Sequence, residues 1–211
     1  MIRRQFASLC ALVLAFAFAP AAVAQELGPD ALAKSVTDEV LAAVRSDKDL
    51  QNGNQQKVLQ LVEAKVLPHF NFVRMTQLAM GRNWRTAQPE QQKALVNEFR
   101  TLLVRTYTTA FTSYKNQTVE YRPLKMAPTD TDVIVKSVIN QPGGQPIAVD
   151  YGMEKTAQGW KVYDVKIEGI SLVDNYRSTF NTEVQKGGVD SLIKALADKN
   201  KSFATARTAS K

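Results

Sequence analysis

Apolar residues recur every three or four positions along the N-terminal half of the chain, which is the spacing of amphipathic helices. The pattern predicts four helices, namely Pro29–Val44, Gln55–Leu67, Phe70–Met80 and a longer one that starts at Pro89. Pro68 and Gly81 end the second and third, because proline cannot continue a helix and glycine favours a helix C-terminus. The fourth extends for about 25 residues, so we expect it to be the spine of the fold.

After Asn116 the spacing changes to the alternation of apolar and polar residues that is typical of strands. Four strands are predicted: Thr118–Leu124, Asp132–Asn140, Pro146–Glu154 and Trp160–Glu168. The turn sequences PGGQ and TAQG join the last three as antiparallel hairpins. A capped helix from Ser171 then ends at Gly187-Gly188, and a last helix runs to about Lys199. This order predicts an α+β fold with helices around an antiparallel sheet of about four strands.

The last predicted strand does not keep its apolar residues on one face. Trp160 and Val162 point one way under strict alternation, while Tyr163, Val165 and Ile167 point the other. Two explanations stay open: a β-bulge near Val162, or a sheet that contacts apolar material on both faces. The strand before the PGGQ turn shows the same two-sided pattern, which favours a sheet face that lines an apolar cavity.

The first 24 residues combine the basic segment MIRRQ, the apolar run FASLCALVLAFAFA and the small-residue motif Ala22-Val23-Ala24. This is the pattern of a secretory signal, and we expect cleavage after Ala24. The expected exported protein is one domain over 25–202, followed by a polar tail at 203–211. Because it contains no cysteine, it must draw its stability in an oxidising compartment from a hydrophobic core rather than from disulfides.

Cleavage would leave 25 basic and 20 acidic residues. The basic residues are spread along the chain and form no compact motif with interleaved aromatic residues, which argues against a nucleic-acid partner. A weak attraction to anionic membrane surfaces stays open.

Candidates for catalysis or metal binding are few. His69 is the single histidine and has neither cysteine nor an acidic cluster nearby, so it lacks the partners of a metal site or a triad. The adjacent pairs Asp150-Tyr151 and Tyr163-Asp164 are better candidates, since a buried carboxyl and phenol can transfer protons. Neighbouring strand residues face opposite sides, however, so both aspartates should point away from an interior lined by the tyrosines. We expect no catalytic residue, no metal and no cofactor.

Three segments of the chain resemble the MlaC family of periplasmic phospholipid-binding proteins. They are VLPHFNFVRMTQLAMGRNWRTAQPEQQ, FRTLLVRTYTTAFTSY and GWKVYDVKIEGISLVDNYRSTF, the last being the most specific. Members of that family are soluble auxiliary components of an ABC transport system that maintains outer-membrane lipid asymmetry. The family is usually tyrosine-like where His69 stands here, which argues further against a histidine mechanism.

The resemblance implies a periplasmic phospholipid carrier with a strongly twisted antiparallel sheet. Acyl chains would lie in a deep apolar pocket between sheet and helices, with the headgroup outside and the lipid as cargo. It also implies two partners: an inner-membrane ABC transporter complex with a lipid-binding ring, and an outer-membrane lipoprotein associated with a porin. We expect a monomer. Nine residues are expected to contribute to the pocket wall: Tyr107, Phe111, Val135, Val149, Tyr151, Val165, Ile167, Ile170 and Tyr176.

Two other functions stay open at this point. An isomerase or dehydratase with a cone-shaped α+β fold would act on an apolar small molecule and would need an acid or base inside the pocket. A periplasmic adaptor that carries no lipid would need no pocket at all.

Overall fold

The structure, a computed structural model, describes residues 27–108 and 116–209. The predictions for the signal segment 1–24 and for Phe111 lie outside these residues. The described helices are α1 (Pro29–Ser46), α2 (Lys48–Gln51), α3 (Gln55–Lys65), α4 (Phe72–Met80), α5 (Pro89–Tyr107) and α6 (Leu172–Ala209). Short 3-10 helices at Leu67–His69 and Gly81–Thr86 flank α4. The strands are β1 (Thr118–Tyr121), β2 (Asp132–Asn140), β3 (Ile147–Thr156), β4 (Gly159–Ile167) and β5 (Ile170–Ser171).

The sheet is an antiparallel meander in the order β1-β2-β3-β4-β5, so each strand pairs with its neighbour in sequence. This confirms the predicted α+β class with one strand more than expected. The additional strand, β5, has only two residues and follows a tight turn at Glu168 and Gly169. Both turn residues have positive φ angles, 51° and 79°, which is the backbone geometry of a two-residue hairpin loop.

Strand β4 contains a β-bulge at Tyr163. Gly152 of β3 is paired with Asp164, but the next residue of β3, Met153, is paired with Val162. Tyr163 is therefore an extra residue in β4. Because of it, the residues that follow face the opposite side of the sheet from the one that strict alternation from Val162 would give them. As a result Val162 and Val165 face the same side of the sheet, here called the inner face. The bulge explanation for the irregular apolar pattern is confirmed.

The extra tyrosine is held on the opposite, outer face of the sheet. A Cβ atom at Gly152 would lie 3.1 Å from the Tyr163 ring, so the glycine leaves the space that the ring occupies. The Tyr163 hydroxyl donates to Asp132 Oδ1 at 2.7 Å, and the Arg74 guanidinium lies 3.7 Å from the ring centroid. Arg74 also pairs with the carboxylates of Asp132 and Glu154. These contacts hold the bulged residue of β4 against the start of α4.

Two groups of helices pack differently. Helices α4, α5 and α6 share the main core, in which the Phe99 ring makes edge-to-face contacts with Phe180 and Tyr176 at 4.9 and 5.0 Å. Helices α1, α2 and α3 form a smaller cluster of their own around Val44 and Val58. Residues from both groups line a space that remains on the inner side of the sheet.

Helix α6 is interrupted where the sequence predicted a helix end. Gly187 has an extended φ of −159° and Gly188 a positive φ of 75°, so the chain breaks its helical path at this pair. The second part continues to Ala209, and the predicted end near Lys199 is wrong. Phe203 packs against the main core, which gives this last stretch a reason to remain helical.

Asp164 connects the bulged strand to the start of α6. Its buried carboxylate accepts hydrogen bonds from Ser171 Oγ at 2.7 Å and from the Val173 amide at 3.2 Å. Ser171 Oγ in turn accepts from the Asp174 amide at 3.1 Å, as a helix N-cap does. Asp164 thus binds a backbone amide and the capping hydroxyl at the edge of the sheet, and the cap fixes where α6 leaves the sheet.

Replacing Asp164 with alanine should lower the free energy of unfolding by about 1–3 kcal/mol, because two buried donors lose their acceptor. In a chain of this size the melting temperature falls by about 2–4 °C per kcal/mol. Asp174→Ala is the matched control: its carboxylate is 62% exposed in an ion pair with Arg177, so its loss should matter clearly less. Thermal unfolding followed by circular dichroism measures both, and equal losses would contradict the capping role.

Candidate ligand-binding cavity

A cavity of about 580 Å³ lies between the inner face of the sheet and the helices. This volume falls within the range of small-molecule sites in proteins. The sheet side of its wall comes from all of the four longer strands, and most of these side chains are apolar. They are Val119, Tyr121, Ile139, Ile147, Val149, Tyr151, Met153, Val162, Val165 and Ile167.

The helical side of the wall comes from α1, α3, α4 and α5 and from the segment around the first 3-10 helix. Helix α1 contributes along most of its length, with Leu32, Ala33, Val36, Thr37, Val40, Leu41 and Val44. Others include Val62 of α3, Phe72 and Met75 of α4, and Leu103, Val104 and Tyr107 of α5. The apolar stripe on α1 is visible in the sequence but its role is not, because a stripe facing a cavity has the same spacing as one facing a core.

The hydroxyl groups in this wall are hydrogen-bonded. Tyr121 Oη donates to the Ala33 carbonyl at 3.0 Å and lies 2.6 Å from Thr37 Oγ1. The Tyr151 hydroxyl interacts with Tyr121 and Ser137. Burial raises the pKa of both tyrosines above the ordinary range, so both stay neutral at physiological pH. The cavity therefore presents apolar surface rather than charge.

His69 is half-buried and also lines the cavity, which sequence analysis did not foresee. Burial, followed by the nearby positive charge of Lys161, lowers its pKa, so the imidazole is neutral at pH 7. Among residues 27–108 and 116–209 no group of three His, Cys, Asp or Glu side chains could hold a metal ion. The histidine adds a polar edge to the wall without the partners that acid–base or metal chemistry needs.

The two aspartate–tyrosine pairs are oriented differently relative to the cavity. Tyr151 faces the cavity while Asp150 faces the outer side, as alternation predicts. Tyr163 does not line the cavity, and the expectation that it faces an interior is wrong, because the bulge turns it to the outer face. Neither carboxylate lies in the cavity wall, and among the described residues that line the cavity there is no Asp or Glu to exchange protons with a bound ligand.

Five of the nine residues predicted for the pocket wall do line the cavity, and Phe111 lies outside the described residues. The five are Tyr107, Val149, Tyr151, Val165 and Ile167.

The other three lie elsewhere. Val135 is fully buried in a cluster with Met153 and Trp160, behind the wall rather than on it. Ile170 is 67% exposed, because the tight turn before β5 carries it to the end of the sheet. Tyr176 belongs to the helical core, where it packs beside Phe99, and burial raises its pKa to about 12.

Fold and site together define a class of protein: an α+β domain whose sheet and helices enclose an apolar ligand cavity. None of the helices in the described parts of the chain combines the length and apolar character that crossing a membrane requires. The model of the MlaC protein family matches residues 34–198, and the chain belongs to this family. The family predicted from the sequence motifs is confirmed.

Named relatives agree with this placement. A phospholipid-binding protein from Ralstonia solanacearum, solved in complex with a phospholipid, is 45% identical, with a TM-score of 0.78 over 84% of this chain and 99% of that one. The intermembrane phospholipid transport system binding protein MlaC of Haemophilus influenzae is 22% identical, with 91% of each chain covered. A toluene tolerance protein of Pseudomonas putida is 26% identical over 85% of this chain and 83% of its own length.

Val165→Trp should reduce binding of the apolar fluorescent dye N-phenylnaphthylamine by about tenfold, or about 1.4 kcal/mol, because the indole occupies cavity volume. Ile134→Trp is the control, since Ile134 is 45% exposed and lies near Gly152 on the outer face. Dye titration with fluorescence detection measures both variants, and thermal unfolding confirms that each is folded. Equal weakening in the two variants would contradict the assignment of the inner face to the cavity.

Proposed function

We propose that this protein is a periplasmic phospholipid carrier that shuttles lipid between the inner and outer membranes and so maintains outer-membrane lipid asymmetry. The observation that carries the proposal is the continuous apolar cavity on the inner face, in which the Tyr121 hydroxyl is already hydrogen-bonded to α1. Membership of the MlaC family and the phospholipid bound to the 45% identical relative support phospholipid as the cargo.

The free energy of burying acyl chains fits a protein that transfers lipid better than one that stores it. Burying one chain of about 15 methylenes is worth roughly 12 kcal/mol relative to water, but close to nothing relative to a bilayer. Spontaneous release into water is therefore very slow, whereas exchange with a membrane or with another apolar cavity is nearly balanced. Small differences in docking can then decide which way the lipid moves.

Such a carrier must load and unload on membrane-embedded partners. We assign these roles to an inner-membrane ABC transporter complex with a lipid-binding ring and to an outer-membrane lipoprotein–porin complex. The relative named as an intermembrane phospholipid transport system binding protein supports this assignment. In the same proposal the chain is exported, cleaved after Ala24, and works as a monomer in the periplasm.

The proposal includes no catalytic step and no cofactor. The wall carries a neutral histidine and two tyrosines, Tyr121 and Tyr151, whose pKa burial raises further above physiological pH, and both candidate aspartates are directed to the outer side. An isomerase or dehydratase would need an acid or base facing the ligand. An adaptor would have no use for a large apolar cavity, which is costly to maintain empty.

Organic extraction of the purified protein, followed by mass spectrometry, tests the proposal directly. We expect phospholipid in stoichiometric amounts, and we expect it to remain after treatment with EDTA because apolar burial rather than a metal retains it. Val165→Trp should carry less lipid than Ile134→Trp. A folded protein that contains no lipid and takes none from phosphatidylglycerol vesicles would contradict the carrier function.

A further inference from the structure

Helix α1 forms a large part of the cavity wall, but its two halves are attached in different ways. The C-terminal half is anchored to the other N-terminal helices, with Val44 packed against Val58 and Val62. Glu39 adds an ion pair to Lys65 of α3 at 2.8 Å. The N-terminal half instead lies against the sheet, where Leu32 and Ala33 contact the cluster around Val135 and Trp160.

The N-terminal half meets the sheet at the Tyr121 hydroxyl. This residue ends β1, a strand of four residues at the edge of the sheet. Its oxygen reaches Thr37 at 2.6 Å and the Ala33 carbonyl at 3.0 Å, two sites one helical turn apart on α1. On the other side the hydroxyl interacts with Tyr151 of β3. One phenol thus connects α1 to the edge strand β1 through two hydrogen bonds.

Packing alone does not require hydroxyls at this place. A phenylalanine at Tyr121 and a valine at Thr37 would fill similar space in a wall that is otherwise apolar. Hydrogen bonds in such surroundings are strong while they are intact, and they leave unsatisfied groups when they are broken. They therefore favour one defined position of α1 over a range of loosely packed ones.

We infer that Tyr121 is a positioning residue that latches the N-terminal half of α1 to the sheet and thereby sets the rate at which lipid leaves and enters the cavity. The inference rests on the proposed carrier function. When the latch opens, α1 moves about its anchored C-terminal half and separates from β1, which widens the cavity along α1. The latch slows exchange without contributing a charge or a headgroup contact.

The test measures transfer of a pyrene-labelled phosphatidylglycerol from the protein to vesicles of phosphatidylethanolamine and phosphatidylglycerol. Tyr121→Phe and Thr37→Val should each speed transfer by about threefold to tenfold, the range for one net hydrogen bond. The double variant should add little, because both changes break the same contact. Thr182→Val is the matched control for Thr37→Val: it removes a hydroxyl bond of 3.0 Å to the Ser178 carbonyl on the exposed side of α6, which does not line the cavity, and its transfer rate should be unchanged.

Hydrogen exchange gives a second readout. A contact that only stabilised the fold as a whole would change the exchange rates of all helices alike, not those of α1 alone. Amides in the first half of α1 should exchange faster in Tyr121→Phe, while those of α5 keep their wild-type rates. Thr37→Val serves the same purpose if Tyr121→Phe does not fold.

Unchanged transfer in lipid-loaded variants would overturn the latch and leave the carrier function intact. Fully additive effects, or an equal increase in Thr182→Val, would also overturn it. A wild-type protein that binds no phospholipid would instead refute the proposed function itself.

Discussion

One extra residue in β4 decides which side chains face the cavity. In a regular strand the positions in phase with Val162 would be Asp164 and Lys166, and two charged side chains would point into an apolar space. The bulge at Tyr163 shifts the phase, so that Val165 and Ile167 face inward and the two charges face outward. Burying two charges in an apolar cavity would be far more costly than forming the bulge.

The same bulge also organises the helices. Asp164, turned to the outer side, caps α6 and fixes where that helix starts. The first turns of α6 carry Tyr176 and Phe180 against Phe99 of α5. Helix α5 in turn places Tyr107 in the cavity wall, where the Tyr176 hydroxyl supports it. The bulge in β4, the cap of α6 and the cavity wall are therefore linked by a continuous series of contacts.

The sequence predicted the sheet better than it predicted the cavity. Alternation along each strand located the hairpins and revealed the irregularity around Val162, since a phase change is visible in the pattern itself. Helical stripes carry no such information, because the residues of α1 have the same spacing whether they face a core or a space. Ile170 and Tyr176 were misplaced for a related reason: a two-residue turn and a helix–helix contact decide their positions, and neither follows from local periodicity.

In the proposed complex, acyl chains lie against the inner face that the bulge creates. Nuclear magnetic resonance of protein with labelled valine and isoleucine methyl groups, bound to a phospholipid that carries a nitroxide on its acyl chain, measures this contact directly. We expect strong paramagnetic broadening at Val149, Val165 and Ile167, with Ile134 and Val138 much less affected. Equal broadening on both faces, or broadening confined to Ile134 and Val138, would contradict it.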